Sequence, residues 1–205
     1  MLGKLRFYVA GTCKFAWQIY LRPAKTTFDR IDPTYMDEDN FLVKSQLLLN
    51  LQDMAKLIDT GVFNAQVLRP FQEPVFISLI IKLNDLLQKL DKPDQRINFK
   101  DDISNGDITD LVNKIRNAIC HLDSGENIID KDLKIKFVFN VLFGKVNAVA
   151  IGNDIIAESD YNDDIAFYYG PHRIYLNRHI IRALKESQKK IDLIYPDKNP
   201  TPHVP

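Results

Sequence analysis

The sequence predicts a mainly α-helical domain, a helical bundle with a small antiparallel β-meander inserted before its last helix. Three observations carry this expectation. Apolar residues recur at helical spacing through most of the first 124 positions. The period drops to two at Leu133, and a helical spacing returns after Gly170-Pro171. A helix repeats its buried face about every 3.6 residues and a strand every second residue, so the changes of period mark changes of element.

A first helix is expected from about Leu5 to Leu21, stopped by Arg22-Pro23. Lys14, Trp17, Gln18 and Arg22 interrupt its apolar run. It falls short of a membrane span and fits a packed helix better than a signal peptide. A second helix is expected over Asp37 to Asp59, with an acidic start that suits the helix dipole and Gly61 as its stop. A third runs from about Pro70 or Glu73 to Leu90. Phe76, Ile80, Leu83, Leu87 and Leu90 make its stripe, and Val75, Ile77, Leu79, Ile81 and Leu86 widen it. Such a helix is buried on several sides, centrally or in a dimer interface. Lys92-Pro93-Asp94 ends it. The fourth helix spans Asp107 to Ser124. Ser104, Asn105 and Asp107 offer N-caps, Asp110 follows Asp107 by three, and Gly125 suits the position after the C-cap.

The strand pattern follows. Leu133, Ile135, Phe137, Phe139 and Val141 alternate with Lys134, Lys136, Val138, Asn140 and Leu142, which predicts one strand with an apolar face. Gly144-Lys145, Gly152-Asn153 and Asn162-Asp163-Asp164 are turn signals. Between and after them, Val146 to Ile151, Asp154 to Ala157 and Ile165 to Tyr169 complete a meander of three or four strands, at about 132–170. Gly170-Pro171 breaks it, and a last helix is expected from about Ile174 to Ile191. Residues 1–195 are expected to form one domain, with a loose Pro-rich tail at 196–205.

Composition narrows the function. Of 205 residues, 27 are basic and 27 acidic, for a net charge of zero. This argues against a broad electrostatic footprint for nucleic acid and leaves room for a small cationic cleft. Two cysteines, Cys13 and Cys120, have no metal-ligand spacing and give no disulfide framework. The expected location is the reducing cytoplasm.

Most of the chemistry lies in Arg116-Asn117-Ala118-Ile119-Cys120-His121, inside the fourth helix. Arg neutralises a phosphate, His moves a proton near neutral pH, and Asn orients either group. Asn117 and His121 are four residues apart and hence neighbours on a helix. Arg116 is turned from His121 by about 140°. One helix brings both side chains near one groove without stacking them, and a second copy across a two-fold axis would gather both sets. His121 falls in the last turn, where the helix dipole favours a cation. Weaker candidates for holding substrate are Asn113, Arg173, Arg178 and Arg182. Tyr161, Tyr168, Tyr169 and Tyr175 offer stacking faces, though aromatic residues in strands more often serve the core. Glu158, Asp160, Asp163 and Asp164 cluster near a turn, which needs no metal to explain it.

The Arg-Asn-x-x-x-His pattern in "NKIRNAICHLDSGE" resembles the HEPN superfamily, helical domains of prokaryotic toxins, abortive-infection systems and CRISPR effectors. The resemblance implies a HEPN-like bundle and a homodimer whose motif helices face each other across a cleft. It implies a metal-independent endoribonuclease without cofactor, in which the ribose 2′-OH attacks the adjacent phosphate. His121 would be the general acid or base, Arg116 the stabiliser of the phosphorane charge, and Asn117 the orienting group. It also implies a toxin or phage-defence setting, with RNA as substrate and a nucleotidyltransferase-type antitoxin as partner. Two departures stand out. Asp123 occupies a position where some toxin members carry Tyr, and the β-rich stretch is absent from a minimal HEPN bundle. Both leave room for the alternative, a non-catalytic HEPN module that binds a nucleotide, RNA or a protein partner.

Overall fold

The computed structural model describes residues 38–196, apart from 122, 131–134, 137–138 and 152–153. These residues all fall in one unit, 36–205. The helix expected over Leu5 to Leu21 and the Pro-rich tail lie outside the described residues, apart from Pro196. The described part is mixed α and β, about half helical, with antiparallel strands between the third and last of its helices.

Three helices come first: α1 (Glu38–Asp59), α2 (Arg69–Lys89) and α3 (Ile108–Cys120). The first two match the expected bounds to within a residue or so of where periodicity and stop signals put them. Along α2, Phe76, Leu79, Ile80, Leu83, Leu86 and Leu87 are all essentially inaccessible, so α2 is the central helix of the bundle. Burial on several sides follows from its wide apolar stripe. The buried Gln72 amide donates to the carbonyls of Val62 and Asn64, which fastens the α1–α2 connection onto α2. Lys82 of α2 pairs with Asp53 of α1 at 3.0 Å, and the Lys44 ammonium donates to the carbonyl of Tyr195, past the end of the last helix.

The strands are β1 (Ile128–Asp130), β2 (Ile135–Lys136), β3 (Asn140–Phe143), β4 (Val146–Ile151), β5 (Asp154–Ser159), β6 (Ile165–Tyr169) and β7 (His172–Tyr175). They form three ladders: β1 with β2, β4 with β5, and a three-stranded sheet in the order β3-β6-β7. Two features differ from the sequence pattern. The one long strand expected over Leu133 to Leu142 is replaced by two short strands in different ladders, β2 with β1 and β3 with β6, and Phe139 just before β3 is buried in the core. The consecutive strands β3 and β4 do not pair. Gly144, at φ 74°, donates its N–H to the carbonyl of Asp164 and ties the end of β3 to the start of β6. The chain then departs into the β4–β5 hairpin, returns through Asp164 and pairs β6 with β3, Phe143 opposite Ile165.

The last helix also begins later than expected. Gly170-Pro171 does not end the sheet but turns it, and Tyr169 pairs with His172 across a two-residue loop. Gly170 has φ 59°, and a glycine in the left-handed region at the first central position is what a tight type II′ hairpin turn requires. Residues 172–175 therefore join β6 as β7. The helix follows, opening as a wide π-helical segment at Leu176–Ile181 and continuing as α4 (Arg182–Ile194).

Strand β6 is buried on both faces. Phe167 points to the helices, with its ring centroid 4.9 Å from those of Phe76 and Phe63. Its neighbours Ala166 and Tyr168 point the other way, into a small cluster with Ala157 and Tyr175. The Tyr168 hydroxyl accepts from the N–H of Glu158 and donates to its carbonyl, which pins β5 over this second face.

Two buried polar side chains lock the last helix to the sheet. Asp164 accepts from the N–H groups of Ile165, Asn177 and Arg178 and from the Arg178 guanidinium. It thereby caps, from a distant turn, N–H groups that a helix start leaves unpaired. The ring of His179 is fully buried. Its Nδ1 accepts from the N–H of Tyr175 at 3.1 Å, so Nε2 carries the proton and donates to the carbonyl of Asp101 at 2.9 Å. Among the described residues, no helix is long and apolar enough to cross a membrane.

Candidate functional site

The motif helix α3 is anchored hard at its N-terminus. Asp107 is the N-cap, and Asp107 and Asp110 form a reciprocal capping box, each carboxylate accepting from the other's backbone N–H. Arg96 grips both carboxylates: its Nε and Nη2 donate to Asp107 at 2.9 and 3.0 Å, and Nη2 also reaches Asp110 at 2.7 Å. Its Nη1 meets Asp91 at 2.6 Å. Burial acts to raise the pKa of Asp107, but the Arg96 guanidinium and the Asp110 N–H outweigh it, and the carboxyl is held below its ordinary value. The same contacts, Asp107 foremost, raise the pKa of Arg96. Gly106 sits at φ 95°, and a Cβ there would lie 2.6 Å from a carboxylate oxygen of Asp110. Thr109 donates to the carbonyl of Ile97 and the Ile108 N–H to that of Phe99, so the whole first turn is fixed. Below it, Ile108, Leu111, Ile115 and Ala118, which helical periodicity places on one side, are buried together with Val112.

The other end of α3 carries the motif. The helix stops at Cys120, earlier than the expected Ser124, and His121 is its C-cap, with extended backbone at φ −125° and ψ 96°. Turn-forming Asp123-Ser124-Gly125 compete with helix by local hydrogen bonding. The Ser124 N–H donates to the carbonyl of His121, and the Ser124 hydroxyl caps a 3₁₀ turn at Gly125–Asn127 by accepting from the N–H of Glu126. Gly125 thus opens a new turn instead of closing the helix.

This fold-back walls an open cavity of about 690 Å³, lined by Asn117, Cys120, His121, Asp123, Ser124 and Glu126. Asn117 and His121 both line this cavity, although His121 lies one residue past the helix on which their neighbouring placement was expected. Arg116 does not line the cavity, but its Nη1 donates to Oδ1 of Asn117 at 3.2 Å and so stands behind the amide. Asn113 is exposed one turn earlier and is not part of the lining.

The three other arginines are held elsewhere by carboxylates. Arg173 pairs with Asp160 at 2.9 Å and donates to the carbonyl of Glu158. Arg178 pairs with Asp163 and Asp164, both at 3.0 Å, and stacks 3.6 Å from the ring centroid of Tyr161. Arg182 bridges Asp101 and Glu186 and covers the ring of Phe99. The Asp-rich turn spends its charge on these partners. Among the described residues, no group of three or more His, Cys, Asp or Glu side chains could hold a metal ion. Tyr168 and Tyr175 are core residues with bonded hydroxyls, and the Tyr161 hydroxyl donates to Asp102.

One feature of the site escaped the sequence. Nε2 of His172 lies 2.6 Å from Oε2 of Glu126, and Glu126 is one wall of the cavity. Burial lowers the pKa of His172 against the opposing pull of Glu126. An ionised carboxylate only accepts, so the neutral ring presents Nε2–H to it. Neighbouring residues of a strand point to opposite faces, which is why His172 reaches the α3 side while Arg173 reaches β5. No local motif signals a pair 46 positions apart.

No family model matches the chain, and neither a curated protein nor a solved structure matches it.

Proposed function

We propose that the protein is a HEPN-type, metal-independent endoribonuclease that works as a homodimer in a toxin or phage-defence setting. The observation that supports it best is the meeting of Asn117 and His121 on one open cavity at the end of α3, with the Arg116 guanidinium bonded to the Asn117 amide. On this reading the open cavity at the end of α3 forms half of the site, and a second copy of α3 across a two-fold axis supplies the other half. One His121 removes the proton of the ribose 2′-OH as its oxygen attacks the adjacent phosphorus. The P–O5′ bond breaks, and the second His121 gives its proton to the leaving 5′ oxygen. Arg116, bonded to the Asn117 amide, brings positive charge toward the phosphorane from behind the lining. The products are a 2′,3′-cyclic phosphate and a 5′-hydroxyl.

Asp123 and Glu126 in the same lining favour a second reading, a non-catalytic module whose cavity holds a donor-rich partner or nucleotide. The deciding experiment incubates purified protein with end-labelled single-stranded RNA and transfer RNA in excess EDTA, beside His121→Ala and Arg116→Ala. Cleavage by the wild type alone, leaving cyclic phosphate ends, upholds the nuclease. No cleavage by a folded dimer moves the assignment to the binding module.

A further inference from the structure

The cavity lining is chemically mixed. Asn117 and His121, with Arg116 bonded to the Asn117 amide, bring neutral and basic groups to the lining, and Asp123 and Glu126 bring carboxylates. A phosphate is repelled by the carboxylates. One of them is also held in place: Glu126 rides on a capped 3₁₀ turn, and His172, mostly buried, fixes one of its carboxylate oxygens at 2.6 Å. That contact leaves the other oxygen, Oε1, and a second lone pair on Oε2 for a ligand. A carboxylate held in one orientation recognises two hydrogen-bond donors side by side.

Among the RNA bases only guanine presents that pattern, N1–H beside the N2 amino group on its Watson–Crick edge. Adenine and cytosine offer an amino group next to a ring nitrogen that accepts, and uracil offers one N–H between two carbonyls. Either arrangement sets an acceptor against the carboxylate. Single-stranded RNA exposes these edges, and proteins read them by hydrogen bonding.

Resting on the nuclease reading, we infer that Glu126 is a specificity-determining residue that binds the Watson–Crick edge of a guanine beside the scissile phosphate, with His172 as the positioning residue that orients its carboxylate.

The test is fluorescence anisotropy with labelled 2′-O-methyl oligouridylates, which lack the attacking hydroxyl, bearing one central guanosine, inosine, adenosine or cytidine. Inosine keeps N1–H and lacks the amino group. The wild type is expected to bind the guanosine oligomer about tenfold tighter than the others, the scale of a bidentate base contact. Glu126→Gln abolishes the preference and His172→Gln weakens it. Circular dichroism reports on folding, and the half-exposed Glu126 tolerates the change. Equal affinity for all four oligomers, or a preference that survives Glu126→Gln, overturns the proposal. Cleavage of the matching 2′-hydroxyl oligomers in EDTA separates the two ideas. Cleavage without base preference overturns the guanine site and leaves the nuclease standing. Guanine-selective binding without cleavage upholds the site and sinks the nuclease. Neither binding nor cleavage overturns both.

Discussion

His172 of the edge strand β7 and Glu126 of the turn after α3 face each other at 2.6 Å. The pair joins the sheet to the motif end of the helix, so the cavity's shape depends on a contact between elements far apart in the chain. It also sets a proton inventory. Burial favours the neutral ring, and the pKa of His172 lies below its ordinary 6.5. The ring is expected to titrate below 6.5 by NMR and to carry its proton on Nε2 at neutral pH. A midpoint at or above 6.5 contradicts this, because the carboxylate would then have won over burial.

His179 makes the stability pH-dependent in a stated direction. Burial lowers its pKa from 6.5, against the pull of the Asp101 carbonyl. Between the folded and unfolded values the unfolded chain binds more protons, so stability is full above 6.5 and declines as pH falls below it. Protonation also forces a donor onto Nδ1, which faces the N–H of Tyr175. Urea denaturation at falling pH should show this loss, and His179→Ala should remove the histidine part of it while costing about 3 kcal/mol. An unchanged pH slope in the variant counts against the assignment.

Asp164 holds the start of the last helix. Its buried carboxylate serves three backbone N–H groups and one guanidinium. Asp164→Ala leaves these donors without their partner and is expected to cost about 3 kcal/mol in equilibrium unfolding. The loss should appear first as faster amide exchange at Asn177 and Arg178. A change under about 0.5 kcal/mol, the range of ordinary surface substitutions, contradicts it.

The anchored end of α3 gives a paired prediction. Asp107→Ala removes the cap and is expected to cost about 1–2 kcal/mol. Gly106→Ala combines a left-handed backbone with a Cβ 2.6 Å from Asp110 and should cost about 2 kcal/mol. Thermal or urea unfolding checks both, and a neutral Gly106→Ala would mean that the Asp110 side chain moves aside freely.

The motif residues should behave in the opposite way. Arg116 and Asn117 are half-buried and His121 is exposed, so alanine at each is expected to shift stability by under about 0.5 kcal/mol. On the proposed nuclease reading, cleavage should fall about 100-fold or more for His121→Ala. Intact cleavage with normal folding would remove His121 from the chemistry.

Residue pattern alone determined the helices α1, α2 and α3, the core side of α3, the β4–β5 hairpin and β6. Each rests on contacts within a few residues along the chain: apolar periodicity, caps, turn residues and the four-residue helical repeat. Tertiary structure decided the rest. Strand β3 pairs with β6 because Gly144 bonds to Asp164 twenty positions away, and β7 exists because a tight Gly-Pro turn folds residues 172–175 back onto β6. The arginines Arg173, Arg178 and Arg182 read as free cations in sequence and are neutralised by carboxylates that folding brings to them. Glu126 and His172 became partners in the same way. Such pairings carry no local periodicity, and only the closure of long loops around a common core brings their members within hydrogen-bonding reach.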